Sequence, residues 1–139
     1  MTRMDQTSLR RGDEAFRSGR LRKAEGFHEA AEWLHDIDSE DGILAGTSFF
    51  ANSAVALYVL SGIASADAVC IRATGRYSAN GSHDASIAVL RDAAGQPVAK
   101  HLQTLLAIKS RAEYDSRSVT GGDIQVARAA AGALLSAAR

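Results

Sequence analysis

The chain has 139 residues, 46% of them hydrophobic, and its 16 basic residues balance 16 acidic ones. This length favours a single domain with one core, and the zero net charge gives no argument for a polyanionic partner. The single Cys excludes an internal disulfide framework, and the polar start of the chain lacks a signal-like apolar run. We therefore expect a cytoplasmic protein.

Helix is the predicted structure over most of the chain, because it contains one Pro and is rich in Ala. Residues 1–12 are polar, and we expect a flexible N-terminus followed by one domain over residues 13–139. An apolar stripe at helical spacing predicts a first helix from Asp13 to about Ile37.

The charges of this first helix are segregated. The chain is basic up to Lys23, and residues 24–41 contain acidic side chains but no Lys or Arg. Cations near the start and anions near the end of a helix oppose its macrodipole. Either a partner compensates this arrangement or solvent screens it.

The longest apolar segment, from Ile43 to Thr74, predicts a buried central helix that could bend near Gly62. Gly, Ala and Ser recur along it at helical spacings, which lets neighbouring helices approach closely. The segment is long enough to cross a bilayer. However, Asp67 near the bilayer centre would cost about 2.5 to 3.5 kcal/mol. We therefore expect a core helix and no membrane partner.

Three further helices are predicted after the long one, which Gly75 is suited to end. The third spans His83 to Ala94, and the fourth carries Pro97 in its first turn and continues to about Tyr114. Thr120 followed by Asp123 resembles a capping box for the last helix. No segment shows the alternation of a strand. The prediction is an all-α, up-and-down antiparallel bundle of about five helices.

Short connections favour antiparallel neighbours, and this rule predicts which polar residues meet. One end of the bundle is expected to gather Arg17, Arg20, Arg76, His83, Arg111 and Tyr114. Asp67 lies about 10 Å below that end along the long helix. A carboxylate in so apolar a helix needs a partner, and we expect Arg72 or an arginine of another helix. Cys70 is expected to be a small core residue.

Two carboxylate–histidine pairs, Glu25 with His28 and Glu32 with His35, have the spacing found in di-iron bundles. Di-iron sites take such pairs from different helices together with further glutamates. Here both pairs lie on one helix, and the other predicted helices offer no matching glutamates. A solvated acidic face is the better interpretation, and neither a metal nor another cofactor is expected.

Three motifs stand out in the sequence: GIASADAV in the long helix, GRYSANGSHDA after it and LLAIKSRAEYD in the fourth helix. They resemble the HEPN superfamily, the nucleotide-binding domains of higher eukaryotes and prokaryotes. They are most similar to the small, stand-alone bacterial branch, and the resemblance covers about residues 13–138. It implies a helical bundle, commonly a homodimer, that acts in toxin–antitoxin, phage-defence or RNA-processing settings. A cognate antitoxin or another protein partner is also implied.

Catalytic members of this superfamily are metal-independent endoribonucleases with an Arg, four to six residues and then a His. Arg76 and His83 match that motif, so the resemblance implies that His83 is the base and Arg76 holds the phosphate. In the ribonucleases the motif lies near the C-terminal helices, where this chain has Arg111 and Tyr114 but no His. The sequence therefore leaves cleavage open.

RNA or nucleotide binding is the leading hypothesis, with four residues besides the motif as phosphate ligands: Arg17, Arg20, Arg111 and Tyr114. The alternative is a non-catalytic module that dimerises or docks a partner protein. In that case the polar cluster, with Asp67 in support, would only hold the end of the bundle together.

Overall fold

The computed structural model describes residues 9–41, 50–79, 83–114 and 119–139. These residues form β1 (Leu9–Arg11), α1 (Glu14–Asp41), α2 (Ala51–Thr74), β2 (Arg76–Ser78), α3 (His83–Ala94), α4 (Gln96–Tyr114) and α5 (Gly121–Ala138). The structure is an all-α bundle with one small two-stranded ribbon, which confirms the predicted fold class.

The central helix is α2, which packs against each of the other four helices. Small side chains along α2 let the neighbouring helices approach closely. At one such contact the Ser61 hydroxyl donates a hydrogen bond to the backbone carbonyl of Ala24 in α1 at 2.8 Å. At Gly62 a Cβ atom would lie 2.2 Å from Cδ1 of Leu105. By length and composition α2 could span a membrane, but 72% of its most apolar window is buried inside the bundle. The segment from Ile43 to residue 49, which we predicted as its start, lies outside the described residues.

The first helix is longer than predicted and ends at Asp41 rather than near Ile37. At its start, the Asp13 carboxylate accepts a hydrogen bond from the backbone N–H of Phe16 at 2.8 Å. This side-chain cap satisfies one of the free N–H groups of the first turn. Near its other end α1 continues through an acidic segment that carries no Gly or Pro to stop it.

The direction of α4 differs from our expectation. Leu105 packs on Gly62, while Ala112, further along α4, lines the same groove as Asn52 and Val55 in the first turns of α2. The fourth helix therefore runs antiparallel to α2, although alternating directions along the chain predicted a parallel arrangement. A single residue, Gly95, joins α3 to α4, whereas the connection from α2 to α3 contains β2 and does not force a reversal.

The fifth helix runs parallel to α2. The backbone N–H of Val119 donates to the Asn52 side chain at 3.1 Å, and at the other end Arg72 donates to the carbonyl of Ala137. The predicted capping box is confirmed, because Thr120 and Asp123 each bond the other's backbone N–H at 3.1 Å.

The ribbon of β1 and β2 was not predicted. Leu9 to Arg11 pair antiparallel with Arg76 to Ser78, so residues 9–11 of the predicted flexible N-terminus form a strand, while residues 1–8 lie outside the described part. Gly75 ends α2 with φ at 73°, and its carbonyl accepts from the N–H of Gly12 at 3.0 Å. Three residues per strand are too few to show an alternating pattern in the sequence.

Candidate ligand-binding cavity

A cavity of about 480 Å³ opens beside the C-terminal half of α2, between α1, α3, α4 and the ribbon. Its apolar walls are formed by Ile63, Ala66, Cys70, Val89, Leu102 and Leu106. Its charged and ionisable lining residues are Arg10, Arg20, Asp67, His83 and Lys109. The volume falls within the range of small-molecule sites. The cavity combines apolar walls with mainly cationic polar groups.

An ion pair between α1 and α2 forms one side of this cavity. Arg20 donates from Nε and Nη2 to the same oxygen of Asp67, Oδ2, at 3.1 and 2.8 Å. The two side chains are only 23% and 15% exposed. This contact confirms the expectation that an arginine of another helix pairs with Asp67, and it holds the Arg20 guanidinium at the cavity wall.

Burial raises the pKa of Asp67 to about 6, and the charge and hydrogen bonds of Arg20 only partly oppose that rise. Burial likewise raises the pKa of the Cys70 thiol, with the neighbouring Asp67 carboxylate as a second cause. Cys70 is 4% exposed, which confirms its predicted place in the core. A thiol that stays protonated in this way is a poor nucleophile.

His83 is the first residue of α3, half-buried in the cavity wall. Ser86, within the first turn of the same helix, also lines the cavity, and its hydroxyl lies 3.4 Å from that of Ser78 in β2. The start of α3 thus contributes an imidazole and a hydroxyl group to the cavity wall, and β2 contributes the second hydroxyl. All three can donate or accept hydrogen bonds to a ligand.

An aromatic pair lies at the cavity wall nearest the ribbon. The rings of Phe16 and Tyr77 are stacked with centroids 4.9 Å apart and an angle of 23° between their planes, and both residues line the cavity. Arg10 stands opposite Tyr77 in the ribbon. A flat apolar surface therefore lies next to a cation, an arrangement that suits a ligand with a planar ring and a negative charge.

Arg76 is not among the residues that line the cavity. It is exposed, and it lies opposite Arg11 in the register of the two strands. Successive side chains of a strand point to opposite faces, so Arg76 lies on the face away from Tyr77. Arg76 and His83, close in sequence, are therefore not brought together in one cavity.

Arg111 and Tyr114 lie at the other end of the bundle, so the predicted single polar cluster is wrong. Arg111 binds the Asp123 carboxylate at 2.8 Å, at the start of α5. That start is held to Asn52, which is 15 residues from Asp67 along α2, a rise of roughly 22 Å. The side chain of Tyr114 is 87% exposed. The reversed direction of α4 causes this separation.

Arg17 does not join the cavity either. Its guanidinium binds the carboxylate of Glu14, one turn earlier in α1, with Nε at 2.8 Å from Oε2. Of the six residues predicted to meet, the cavity lining therefore contains Arg20 and His83.

Three residues of the cavity lining were not predicted as site residues: Arg10, Tyr77 and Lys109. Arg10 lies in the tail that we expected to be flexible, and Tyr77 lies in the motif segment but was interpreted only as a spacer. Lys109 follows the core residue Ile108, and its reach to the cavity depends on the direction of α4. No pattern in the sequence identifies these three, apart from the position of Tyr77 between Arg76 and His83.

Two residues of the histidine–carboxylate pairs in α1, His28 and Glu32, contact side chains of other helices. Glu32 accepts hydrogen bonds from the buried Tyr58 hydroxyl at 3.0 Å and from Arg128 Nε at 2.8 Å. His28 packs edge-on against the Tyr58 ring at 5.8 Å. These contacts join α1, α2 and α5. Within the described ranges no group of three or more His, Cys, Asp or Glu residues could hold a metal ion.

The cavity lining places cationic side chains beside aromatic and aliphatic surface, which suits an anion that carries a flat apolar portion. His83 adds an imidazole that can donate or accept a hydrogen bond. Comparisons of the chain with protein-family models, with curated proteins and with solved structures find no match.

Proposed function

We propose that this protein is a HEPN-like domain that binds single-stranded RNA by taking one nucleotide into the cavity between α1, α2, α3, α4 and the ribbon. The observation that carries this proposal is the joint presence of three cations, a histidine and a stacked aromatic pair around one apolar-walled cavity. The HEPN resemblance supports the same ligand class. It also supports a cognate antitoxin or another protein partner, while the single Cys supports a cytoplasmic setting.

The phosphate would lie against the cationic side chains of the cavity lining. Among the described residues that line the cavity, Arg10, Arg20 and Lys109 are cationic and Asp67 is the one carboxylate, so this lining favours an anion even with Asp67 ionised. Asp67 holds the Arg20 guanidinium through Nε and Nη2, and a preorganised guanidinium binds phosphate well because its donors are fixed in a plane.

The base would lie against the aromatic pair. Phe16 and Tyr77 offer π surface at the cavity wall, and stacking of a base on such a surface contributes about 1 to 3 kcal/mol. Stacking is tolerant of sequence because every base has a π face. We therefore expect little preference among RNA sequences at this position.

Metal-independent RNA cleavage is the reaction that these residues could support. As the general base, His83 would take the proton of a ribose 2′-hydroxyl, and the 2′ oxygen would then attack the adjacent phosphorus. The bond from phosphorus to the 5′ oxygen breaks, a 2′,3′-cyclic phosphate forms, and the departing 5′ oxygen takes a proton from water. Arg20 or Arg10, rather than Arg76, would stabilise the charge on the phosphate oxygens.

Binding is tested with a short fluorescent RNA oligonucleotide and two adjacent arginine variants. Arg10→Ala removes a cation from the cavity, whereas Arg11→Ala removes another exposed cation of β1 that does not line it. We expect Arg10→Ala to weaken binding about tenfold and to reduce the salt dependence by roughly 0.7 per lost phosphate contact. Equal effects of the two variants would contradict the assignment of the cavity.

Cleavage is tested on the same RNA in EDTA with His83→Ala and with His101→Ala, a half-buried histidine of α4 outside the cavity lining. Activity that is lost only in His83→Ala would assign the base. Cleavage that survives in His83→Ala would rule that base out, and RNA binding without cleavage would leave a binding module. Absence of both would favour a non-catalytic docking protein.

A further inference from the structure

We propose that the cavity binds its anion together with a proton, which Asp67 takes up, so that a lower pH strengthens anion binding. Asp67 is the one carboxylate among the described residues that line the cavity. It binds Arg20, a cation that an anion in the cavity would engage. The inference rests on the proposed function in one respect, because both require the cavity to accept an anion.

The contact between Arg20 and Asp67 leaves one carboxylate oxygen available for a proton. Nε and Nη2 of Arg20 both donate to the same oxygen, Oδ2. Within the described part of the chain, the other oxygen, Oδ1, accepts no hydrogen bond. A protonated carboxyl group carries one O–H donor and keeps the capacity to accept hydrogen bonds. Protonation at Oδ1 is therefore compatible with both contacts of Arg20.

The surroundings of Asp67 favour the neutral acid. Its side chain is 15% exposed, and three apolar or weakly polar residues of the same helix line the cavity with it: Ile63, Ala66 and Cys70. Burial disfavours the charged form of a carboxyl group. It raises the pKa of Asp67 to about 6, although the charge and the hydrogen bonds of Arg20 oppose the rise. At neutral pH Asp67 is thus mainly ionised and close to its point of titration.

The other ionisable residues of the described lining come from several elements. They are Arg10 in β1, Tyr77 in β2, His83 in α3, Lys109 in α4 and Cys70 in α2 itself. Burial raises the pKa of the Cys70 thiol, so this side chain stays neutral. Arg20, from α1, supplies the charge that lowers the pKa of Asp67. An anion that engages Arg20 therefore also acts on Asp67.

An anion bound at Arg20 makes protonation of Asp67 more favourable. It brings a second negative charge close to the carboxylate, and a like charge raises the pKa of a carboxyl group. It also competes for the guanidinium that stabilises the ionised form. Because linkage between two bound ligands is reciprocal, the protonated protein must bind the anion more tightly by the same factor. A rise of about one pKa unit corresponds to a tenfold change in affinity.

The pKa of Asp67 is measured directly by ¹³C NMR of its carboxyl group, with Asp67→Asn identifying the signal. Sulfate is the probe, because its charge is constant between about pH 5 and pH 8, whereas a phosphate monoester titrates in this range. Chloride at the same ionic strength is the reference. We expect sulfate to raise the pKa of Asp67 by about one unit. A pKa that sulfate leaves unchanged or lowers would overturn the proposal.

Affinity for the dinucleotide uridylyl-uridine, whose phosphodiester charge is also constant over this range, gives a second test. We expect the wild type to bind about tenfold more weakly at pH 8 than at pH 5. Asp67→Asn keeps an oxygen that accepts from Arg20. This variant should lose the pH dependence and bind about tenfold more tightly than the wild type at pH 8. Asp92→Asn makes the same change at an exposed position of α3 outside the lining and should behave like the wild type.

His83→Gln separates Asp67 from the imidazole of the cavity lining. The pH dependence that belongs to Asp67 should persist in His83→Gln and disappear when Asp67→Asn is added. Calorimetry in two buffers of different ionisation enthalpy should show uptake of about half a proton near pH 6.5 in His83→Gln and none in the double variant. Equal proton uptake in these two variants would reject Asp67 as the group that takes up the proton.

The outcomes distinguish this inference from the proposed function. A sulfate-dependent rise in the pKa of Asp67 without binding of the dinucleotide or of longer RNA would contradict the proposed function and support the coupling of anion and proton. RNA binding whose pH dependence is the same in the wild type and in Asp67→Asn would support the proposed function and overturn the coupling.

Discussion

Asp67 is an acidic residue in a helix that consists mainly of apolar side chains. It is a carboxylate in an apolar α2, and a single arginine, Arg20, compensates its burial only in part. In contrast, Glu32 has its pKa lowered, first by the hydrogen bonds of Arg128 and then by that of Tyr58. Two acidic residues of one bundle therefore have pKa shifts of opposite sign, because burial dominates at one and hydrogen bonding at the other.

The raised pKa of Asp67 predicts how stability depends on pH. Its pKa is about 6 in the folded chain, above the ordinary value of 3.8, so its contribution to stability is complete below the ordinary value and is lost as the pH rises through 6. Relative to Asp67→Asn, the free energy of unfolding of the wild type should fall by about 2 kcal/mol between about pH 4 and pH 7. Urea denaturation at several pH values measures this difference, and a constant or rising difference would contradict the assignment.

Side-chain volume on α2 determines how closely its neighbours approach. Leu105 of α4 and Leu134 of α5 both meet the position where Gly62 lacks a Cβ atom. The sequence marked this glycine only as a possible bend. Its importance for packing follows from two helices that are distant along the chain.

Gly62→Ala should therefore destabilise the fold although Ala is the better helix former. A Cβ atom 2.2 Å from Cδ1 of Leu105 forces that side chain to move, and overpacking of this kind costs about 1 to 3 kcal/mol. Gly132→Ala in α5 is the matched control, because its Cβ atom would meet only the His28 ring at 4.0 Å. Thermal unfolding should show a loss for the first variant and no loss for the second. Combining Gly62→Ala with Leu105→Ala should cost less than the sum of the two single changes.

At the scale of the whole molecule, α2 is the common partner of the other helices. Opening it exposes the core from every side, so its buried amides should exchange only through global unfolding. The ribbon of β1 and β2 has three residues per strand and lies at the surface end of α2.

Native-state hydrogen exchange should therefore give different amide exchange rates for α2 and for the ribbon. We expect the amides from about Val55 to Val69 to be the slowest in the described part of the chain, and those of residues 76–78 to exchange at least about a hundredfold faster. Exchange in α2 as fast as in the ribbon would show that the bundle opens around its central helix rather than as one unit.

The sequence by itself determined the helices and their caps. The apolar stripes, Gly75 at the end of α2 and the pairing of Thr120 with Asp123 are local signals, because helix periodicity and capping depend on residues a few positions apart. The need of Asp67 for a partner could also be predicted, since a buried charge must be compensated wherever it lies.

Only the tertiary structure decided which polar residues meet. Arg20 and His83 line the cavity at the predicted end and Arg76 lies at that end outside the cavity lining, but Arg111 and Tyr114 were assigned to the wrong end. The sequence pattern gives the apolar face of each helix and not the direction in which a helix returns across the bundle. The fourth helix runs antiparallel to α2, so the two ends of α2 receive different polar residues. Contacts between residues far apart in the chain depend on this global choice, which no local pattern encodes.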